Sequence, residues 1–519
     1  MKKHTNILLL LSMLVGGMFS TQQSMAQKGK NISDKPNVII LYMDDLGFGD
    51  LSCYGSKAIK TPNIDKIAKQ GIRFTNGYAT SSTCTPSRYA LLTGEYPWKN
   101  KDAQILSGDA PLLIGTEKMT LPKKLKANGY TTAVVGKWHL GVGNGQVNWN
   151  ERVSPGPNEV GFEYAYIMGA TNDRVPTVYL EDGNVVGLDL NDPIEVSYKK
   201  NFEGEPTGLD NPELLKMKWH HGHNQSIVNG IPRIGYMKGG KSAHWDDENM
   251  SEHFLNIAQD FVKQNKEKPF FLYYALHQPH VPRVPNPKFV GSTDLGPRGD
   301  VIVEADWTIG QFMKTLKEEG LLENTLIFFS SDNGPVLNDG YFDQSDIRNG
   351  LHTPTGGLRG GKYSLYDAGT HVPFLCMWKG TIKPMESDAL VSQLDIFNSV
   401  NALLKLDQEA TDSKNTLDAF MGTSQKGRET YVVEAGRSLA YRSGDWLMIP
   451  PYEGNPVNAQ VGIELGRAKH FQLYNLKEDP AQEQNLSEKH PEILAKMKKD
   501  YLKEVKGFEP KSFNELTLH

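Results

Sequence analysis

The run Pro36-Asn37-Val38-Ile39-Ile40-Leu41-Tyr42-Met43-Asp44-Asp45 decides how the rest of the chain is read. From Val38 to Met43 there is no polar alternation, which suits a strand buried on both faces, the kind found in a parallel sheet covered by helices. Two carboxylates follow at once. Adjacent acids at the end of a buried strand are costly unless a positive charge sits between them. A hard cation meets that need; a solvated turn is the plain alternative for any single Asp-Asp pair.

A second stretch repeats the device. Thr325-Leu326-Ile327-Phe328-Phe329-Ser330-Ser331 reads as a buried strand and delivers Asp332 and Asn333, followed by Gly334. Asp44, Asp45, Asp332 and Asn333 offer only oxygen, the ligand of Ca²⁺ or Mg²⁺, and Ca²⁺ tolerates an irregular carboxylate and amide set better. Two further strands end in chemistry: Thr131 to Val135 leads into Gly136-Lys137-Trp138-His139, and Pro269 to Leu276 leads into His277-Gln278-Pro279-His280. In open α/β sheets the ligand crevice lies beyond the carboxyl ends of the strands. Four such ends place acids, an amide, a lysine and histidines on one rim.

Helical segments fall between these strands, as parallel pairing requires. Thr61-Pro62 is an N-cap and first-turn pair, Ile64, Ile67 and Ala68 form a stripe, and Gly71 stops the helix. Leu121 to Ala127 and Glu252 to Val262 read as further crossovers, and Ser392 to Leu404 as another helix. Asp407 to Gly427 is polar and irregular, a linker by composition. Beyond it, Thr430 to Glu434, Leu439 to Arg442, Trp446 to Ile449 and Phe471 to Tyr474 are strand-like, and a helix follows Pro491. The expected architecture is α/β, a large mainly parallel sheet sandwiched by helices over residues 27–423. A smaller α+β subdomain with an antiparallel sheet is expected over 424–519.

Lys2 and Lys3, the apolar Ile7 to Phe19 and the closing Ser24-Met25-Ala26 have the three parts of a secretory signal peptide, residues 1–26. The apolar run is shorter than the roughly 20 residues of a spanning helix, and nothing later is long and apolar enough. The mature protein is expected to be periplasmic or secreted, with the secretion machinery as a partner and no membrane span. The chain of 519 residues is ample for one large core and a smaller unit. A formal net charge of −5 argues against a nucleic-acid or general polyanion binder, so an anionic substrate must be held by local cations. Three cysteines imply no disulfide framework, and Cys53 and Cys376 have the apolar or small neighbours of core thiols.

The third cysteine sits differently. Cys84-Thr85-Pro86-Ser87-Arg88 runs on through Tyr89-Ala90-Leu91-Leu92-Thr93-Gly94-Glu95-Tyr96-Pro97, placing Cys84 where a loop feeds the first turn of a helix, with backbone N–H groups free to hold an anion. Thr355-Gly356-Gly357-Leu358-Arg359-Gly360-Gly361-Lys362 is a glycine-rich loop able to cradle an anion, but its spacing is not that of a nucleotide P-loop. Asn172, Asp173 and Arg174 suit sugar hydroxyls or a second anionic group. Val186 to Asp247 is rich in Gly, Asn, Pro and His, as binding or specificity loops are. His220, His221 and His223 within it match no zinc spacing and are read as loop or glycan-facing residues.

Cys84-Thr85-Pro86-Ser87-Arg88 together with Leu92-Thr93-Gly94-Glu95-Tyr96-Pro97 resembles the signature of the formylglycine-dependent type I sulfatases, the arylsulfatase family of the alkaline phosphatase superfamily. Tyr366 to Pro373, Leu473 to Pro480 and Glu483 to Leu486 resemble further blocks of that family, with a departure at Asp367, Ala368 and His371. The resemblance implies that a maturation enzyme oxidises Cys84 to formylglycine (3-oxoalanine), whose hydrate attacks sulfur to give a covalent sulfo-enzyme. It implies Ca²⁺ held by Asp44, Asp45, Asp332 and Asn333 with residue 84, and Arg88 steadying the hydrate. Lys137, Lys362 and His280 would bind sulfate oxygens, with His280 or Lys362 protonating the leaving oxygen. His139 would take the proton of the second hydroxyl, and His277 would support. Similarity to secreted bacterial polysaccharide sulfatases points to a sulfated saccharide substrate, of galactose or N-acetylgalactosamine type, with Asn172, Asp173, Arg174 and His352 as specificity residues. The rivals are a phosphodiesterase or phosphonate hydrolase of the same superfamily, which more often carries extra ligands for two metals, and a non-catalytic sulfated-glycan binding protein, which would need a broken catalytic set.

Overall fold

The computed structural model describes residues 35–409 and 411–508, so the signal peptide expected at 1–26 lies outside the described residues. Asn37–Met43 is a strand at the centre of a ten-stranded sheet. In spatial order the strands are Met385–Ser387, Ile72–Phe74, Phe374–Trp378, Thr325–Ser331, Asn37–Met43, Phe270–Ala275, Thr131–Lys137, Tyr164–Met168, Tyr179–Glu181 and Asn184–Val185. The five from Thr325–Ser331 to Tyr164–Met168 run parallel; antiparallel strands flank them on both sides.

The burial of the central strand is two-sided, as its unbroken apolar run predicts. Val38, Ile40 and Tyr42 point into one hydrophobic core, and Ile39, Leu41 and Met43 into the other. Burying each large apolar side chain contributes roughly 1.5–3 kcal/mol, which offsets the cost of the acids placed at the strand's end. Helices Pro62–Gln70, Met250–Gln264 and Pro297–Glu318 pack on the second core. Cys84–Thr93 and Leu121–Ala127 cover the first, with Ile396–Leu403 beside them.

Two local expectations change. Thr61 makes no side-chain cap; its hydroxyl is drawn to Ser52 and Asp65, and Asp306 from another helix accepts the N–H groups of Asn63 at 3.0 Å and Ile64 at 2.8 Å. The Asp407 to Gly427 segment is not a loose tether, because Phe420 is buried against Phe74, Phe328 and Phe374 and Arg428 is locked on Asp395 at 2.6 Å. Thr430–Ala435, Ser438–Ser443, Trp446–Ile449 and Gln472–Asn475 form a separate antiparallel sheet, covered by helix Pro491–Glu504. Among the described residues no helix is long and apolar enough to cross a membrane.

The register puts the strand ends level. Met43 pairs with Ser331, Tyr42 with Ala275, and Ala275 with Gly136. The residues that follow these positions therefore emerge side by side on one rim.

Candidate active site

Asp44, Asp45, Lys137, His139, His280, Asp332 and Asn333 all lie on that rim and are buried. The Asp44 N–H donates to the Gln278 carbonyl at 3.0 Å, and the Asp332 N–H to that of Met43 at 3.1 Å, so the turns lock to one another. Asp45 and His139 hold φ values of 62° and 52°, a left-handed backbone that costs a non-glycine residue on the order of 1 kcal/mol or more. In both cases the bend turns the side chain toward a common centre where its partners lie.

Cys84 opens helix Cys84–Thr93, whose ten residues are all buried. Thr85 Oγ1 donates to the His139 carbonyl at 2.9 Å, which ties the helix start to the Lys137-His139 turn. Cys84 Sγ lies 3.2 Å from His139 Nδ1. His139 Nε2 is 3.0 Å from the Leu106 carbonyl oxygen, which can only accept, so Nε2 carries the proton and Nδ1 faces the sulfur as an acceptor. Burial, with Lys137 adding to it, pushes the His139 pKa well below its usual value. A neutral imidazole therefore stands beside residue 84. Burial raises the Cys84 thiol pKa, so as a plain cysteine this side chain is a poor nucleophile.

The acids are held by a cage of cations. Arg88 donates to Asp332 Oδ2 from Nε at 2.9 Å and Nη2 at 2.7 Å, and from Nη1 to Tyr273 OH at 3.1 Å. Lys137 Nζ donates to Asp44 Oδ2 at 2.5 Å. Lys362 Nζ bridges Asp45 Oδ2 at 2.9 Å and Asp339 Oδ2 at 2.7 Å. Burial drives the Asp44 pKa well above its ordinary value; the pull of Lys137 opposes this, and the crowding of Asp332 and Asp45 adds to it. Burial acts likewise on Asp45, but Lys362 and Lys137 outweigh it and hold that carboxyl low. The Lys362 ammonium is opposed by burial yet held firmly charged by Asp339 and Asp45.

Two buried oxygens at this centre, Asp44 Oδ1 and Asn333 Oδ1, have no hydrogen-bond partner. Asn333 Nδ2 is fixed on Asp45 Oδ1 at 2.7 Å, which leaves its oxygen free to face a ligand. Ligand atoms of Asp44, Asp45 and His280 lie within 4.8 Å of one another. Partnerless buried oxygens among crowded carboxylates fit a hard divalent cation. Asp332 stands behind this centre, with Oδ2 taken by Arg88 and Oδ1 accepting the Asp45 N–H at 3.2 Å. His280 donates from Nδ1 to the Val281 carbonyl at 2.7 Å, so its Nε2 faces the site as an acceptor, 3.9 Å from Asp45 Oδ2.

A small pocket opens over Cys84, His139, His280 and Lys362, with Asp173, Arg174, His223, Asp339 and Tyr363 in its walls. Asp173 and Arg174 thus reach the site from their loop. Asn172 does not line it: its Nδ2 donates to the Pro282 carbonyl at 3.1 Å. His352 is not there either. It bonds Asp50 at 2.9 Å, beside the two donors of Arg298, because a buried carboxylate needs full pairing and this one recruits both side chains. The glycine-rich loop delivers Lys362 but not Arg359, whose guanidinium turns to Glu464 at 2.8 and 2.6 Å and stacks on Tyr366. His277 is buried next to the rim, its pKa pushed down to about 4 by burial.

Of three further pocket residues, Asp339 and Tyr363 carry no signal in the sequence, and His223 falls where a loop or glycan-facing residue is expected. His223 Nε2 lies 2.8 Å from Asp173 Oδ2, Tyr363 OH donates to Asp339 at 3.2 Å, and Asp339 anchors Lys362. The Tyr78, Asp367, His371 and Arg442 group, where the chain departs from the family pattern, forms a buried network away from the pocket.

Known proteins resemble this chain along most of its length. A family model described as sulfatase matches residues 36–406. An N-acetylgalactosamine-6-O-sulfatase of Bacteroides thetaiotaomicron is 47% identical over 501 residues, covering 95% of this chain and 98% of that protein. Human arylsulfatase A is 29% identical over 498 residues, covering 91% and 88%. A solved structure from work on the metabolism of multiple glycosaminoglycans by B. thetaiotaomicron superposes with a TM-score of 0.90 at 47% identity, covering 91% of this chain and 99% of that one. The chain therefore belongs to the sulfatase family, hydrolases of sulfate esters.

Proposed function

We propose that the protein is a secreted or periplasmic sulfatase, its residues 1–26 removed as a signal peptide, that takes the 6-O-sulfate from N-acetylgalactosamine residues of a sulfated glycan. The observation that carries the chemistry is the neutral, acceptor-facing His139 Nδ1 at 3.2 Å from Cys84 Sγ, beside two buried oxygens that lack partners. The substrate follows from the N-acetylgalactosamine-6-O-sulfatase relative and from pocket walls rich in sugar-binding donors and acceptors, Asp173, Arg174 and His223. Residues 27–423 would carry the site, and 424–519 would brace the Lys362 loop through the Arg359–Glu464 pair.

Formylglycine made from Cys84 would supply, as its hydrate, the attacking hydroxyl, and Asp44, Asp45, Asp332, Asn333 and residue 84 would hold a Ca²⁺ whose chemistry would be polarisation of nucleophile and sulfate. Lys137 and Lys362 would hold sulfate oxygens, the Lys362 ammonium being kept charged by Asp339 and Asp45 before substrate arrives. Lys362 has two of its three N–H bonds committed to Asp45 and Asp339, which leaves one available for the leaving oxygen. His280 Nε2 faces the same site, and it would bind a sulfate oxygen or protonate the leaving oxygen only in the doubly protonated ring, since Nδ1 already donates to Val281. His139 Nδ1 would receive the proton of the second hydroxyl, since its Nε2 proton is fixed on the Leu106 carbonyl. Arg88 keeps Asp332 oriented and balances the acids. The cluster able to hold an ion among the described residues is a single one, which favours a one-metal sulfatase over a two-metal phosphodiesterase, and an intact set of Arg88, Lys137, His139 and Lys362 speaks against a mere binding protein.

The test is sulfate release from 6-sulfated and 4-sulfated N-acetylgalactosamine, 6-sulfated glucosamine and an aryl phosphate, with mass spectrometry of the peptide holding residue 84. The expected result is release from the 6-sulfated N-acetylgalactosamine above the others, no phosphate release, an aldehyde at 84, and a fall of about 10³-fold or more in Cys84→Ala. An active enzyme with an unmodified thiol at residue 84 overturns the mechanism; preference for another saccharide overturns the substrate.

A further inference from the structure

A row of aromatic rings leads out of the pocket to solvent. His223 is buried in the pocket wall and lies 6.3 Å, ring to ring, from His221. His221 lies 5.1 Å from His220, and His220 lies 4.8 Å edge-on from Phe342. Exposure rises along the row, from buried His223 through half-buried His221 to exposed His220, ending at Phe342, which is 60% exposed. A solitary exposed apolar residue is ordinary. This one is held in place.

Two loops are zipped together beneath it. Trp219 and Tyr341 pair as an antiparallel bridge, the His220 N–H donates to the Gly340 carbonyl at 2.8 Å, and the Phe342 N–H donates to the Lys218 carbonyl at 2.9 Å. The same loop carries Asp339, which anchors Lys362, so the row is fixed relative to both the pocket wall and the sulfate-binding lysine. A sugar ring presents a polar rim and an apolar C–H face, and the electron-rich faces of fixed aromatic side chains suit that second surface.

We propose that His220, His221 and Phe342 form a second saccharide subsite that receives the sugar next to the sulfated one, so that the enzyme favours a disaccharide or longer chain over the sulfated monosaccharide. This rests on the glycan sulfatase function proposed above. The pocket wall of Asp173, Arg174 and His223 holds the sulfated sugar, and its neighbour, leaving the pocket along the His223 wall, meets His221 and then stacks on Phe342.

The experiment measures kcat and KM for 6-sulfated N-acetylgalactosamine and for a disaccharide carrying it, in the full-length wild-type enzyme, Phe342→Ala, His220→Ala and Phe342→Trp. The wild type should favour the disaccharide by roughly three- to tenfold in kcat/KM, the worth of one aromatic contact. Phe342→Ala and His220→Ala should lose that preference through KM with the monosaccharide unchanged, and Phe342→Trp should keep it. If both saccharides are turned over and Phe342→Ala leaves their ratio intact, or lowers both alike, the subsite is overturned alone. If neither saccharide releases sulfate while an aryl sulfate does, the glycan function is overturned and the subsite with it.

Discussion

Gly340→Ala tests how the pocket wall is held. Gly340 has φ +110°, and a Cβ there would stand 1.8 Å from His223 Nδ1 and 2.1 Å from Cε1. An ordinary contact needs about 3.4 Å or more, so the imidazole must retreat by roughly 1.5 Å. Its Nε2 then leaves Asp173 Oδ2, now 2.8 Å away. Loss of a buried hydrogen bond to a charged group costs about 1.5–3 kcal/mol, roughly ten- to a hundredfold in kcat/KM for the glycan substrate. The backbone adds about 1–2 kcal/mol of destabilisation, since an L-residue at this φ is strained. The assay is kcat/KM for 6-sulfated N-acetylgalactosamine beside 4-nitrophenyl sulfate, which has no sugar hydroxyls for this wall, with denaturant unfolding in parallel. Glycan turnover should fall by that factor and aryl sulfate turnover by less than about threefold. Unchanged glycan turnover, or an equal fall on the aryl ester, would refute the role given to His223.

Arg88→Lys keeps the charge but loses the fork on Asp332 and the bond to Tyr273, all fully buried; unfolding free energy should drop by about 3 kcal/mol or more, and activity should be all but lost. Asp45→Asn removes a charge from the cation centre, so metal analysis of the purified variant should show a substoichiometric ion, and wild-type enzyme stripped by chelator should recover with Ca²⁺ more fully than with Mg²⁺. Glu304 is buried on helix Pro297–Glu318, and desolvation pushes its pKa up to about 7. A carboxyl raised on folding favours the native state below its unfolded pKa and loses that contribution as pH rises through the folded value. Glu304→Gln should therefore stabilise the protein by on the order of 2–3 kcal/mol at pH 8 and little at pH 4.5, read by urea unfolding at both; an equal effect at the two pH values would dismiss the titration.

Local sequence was enough for the scaffold and for half of the candidate site. Val38 to Met43 and Leu326 to Phe329 leave no polar face, so only a strand buried on both sides accommodates them, and the acids that follow had to emerge on its carboxyl rim. Cys84 announced itself through its neighbours in the chain. What lacked such a signal depended on partners far away in sequence. The helix Pro297–Glu318 reads poorly because Arg298, Asp300, Glu304 and Asp306 are buried within it, and Arg298 and Asp306 are satisfied by Asp50 and by the start of helix Pro62–Gln70. His352 looked available for substrate and was claimed by Asp50. His223 was legible only as a loop or glycan-facing residue; its place in the pocket wall depends on Gly340, which makes room for its ring, and on Asp173, which gives it a partner. A strand or helix start is set by residues a few positions apart, whereas the identity of a buried charge's partner is set by which loops the fold brings within 3 Å, and no run of local sequence contains that distance.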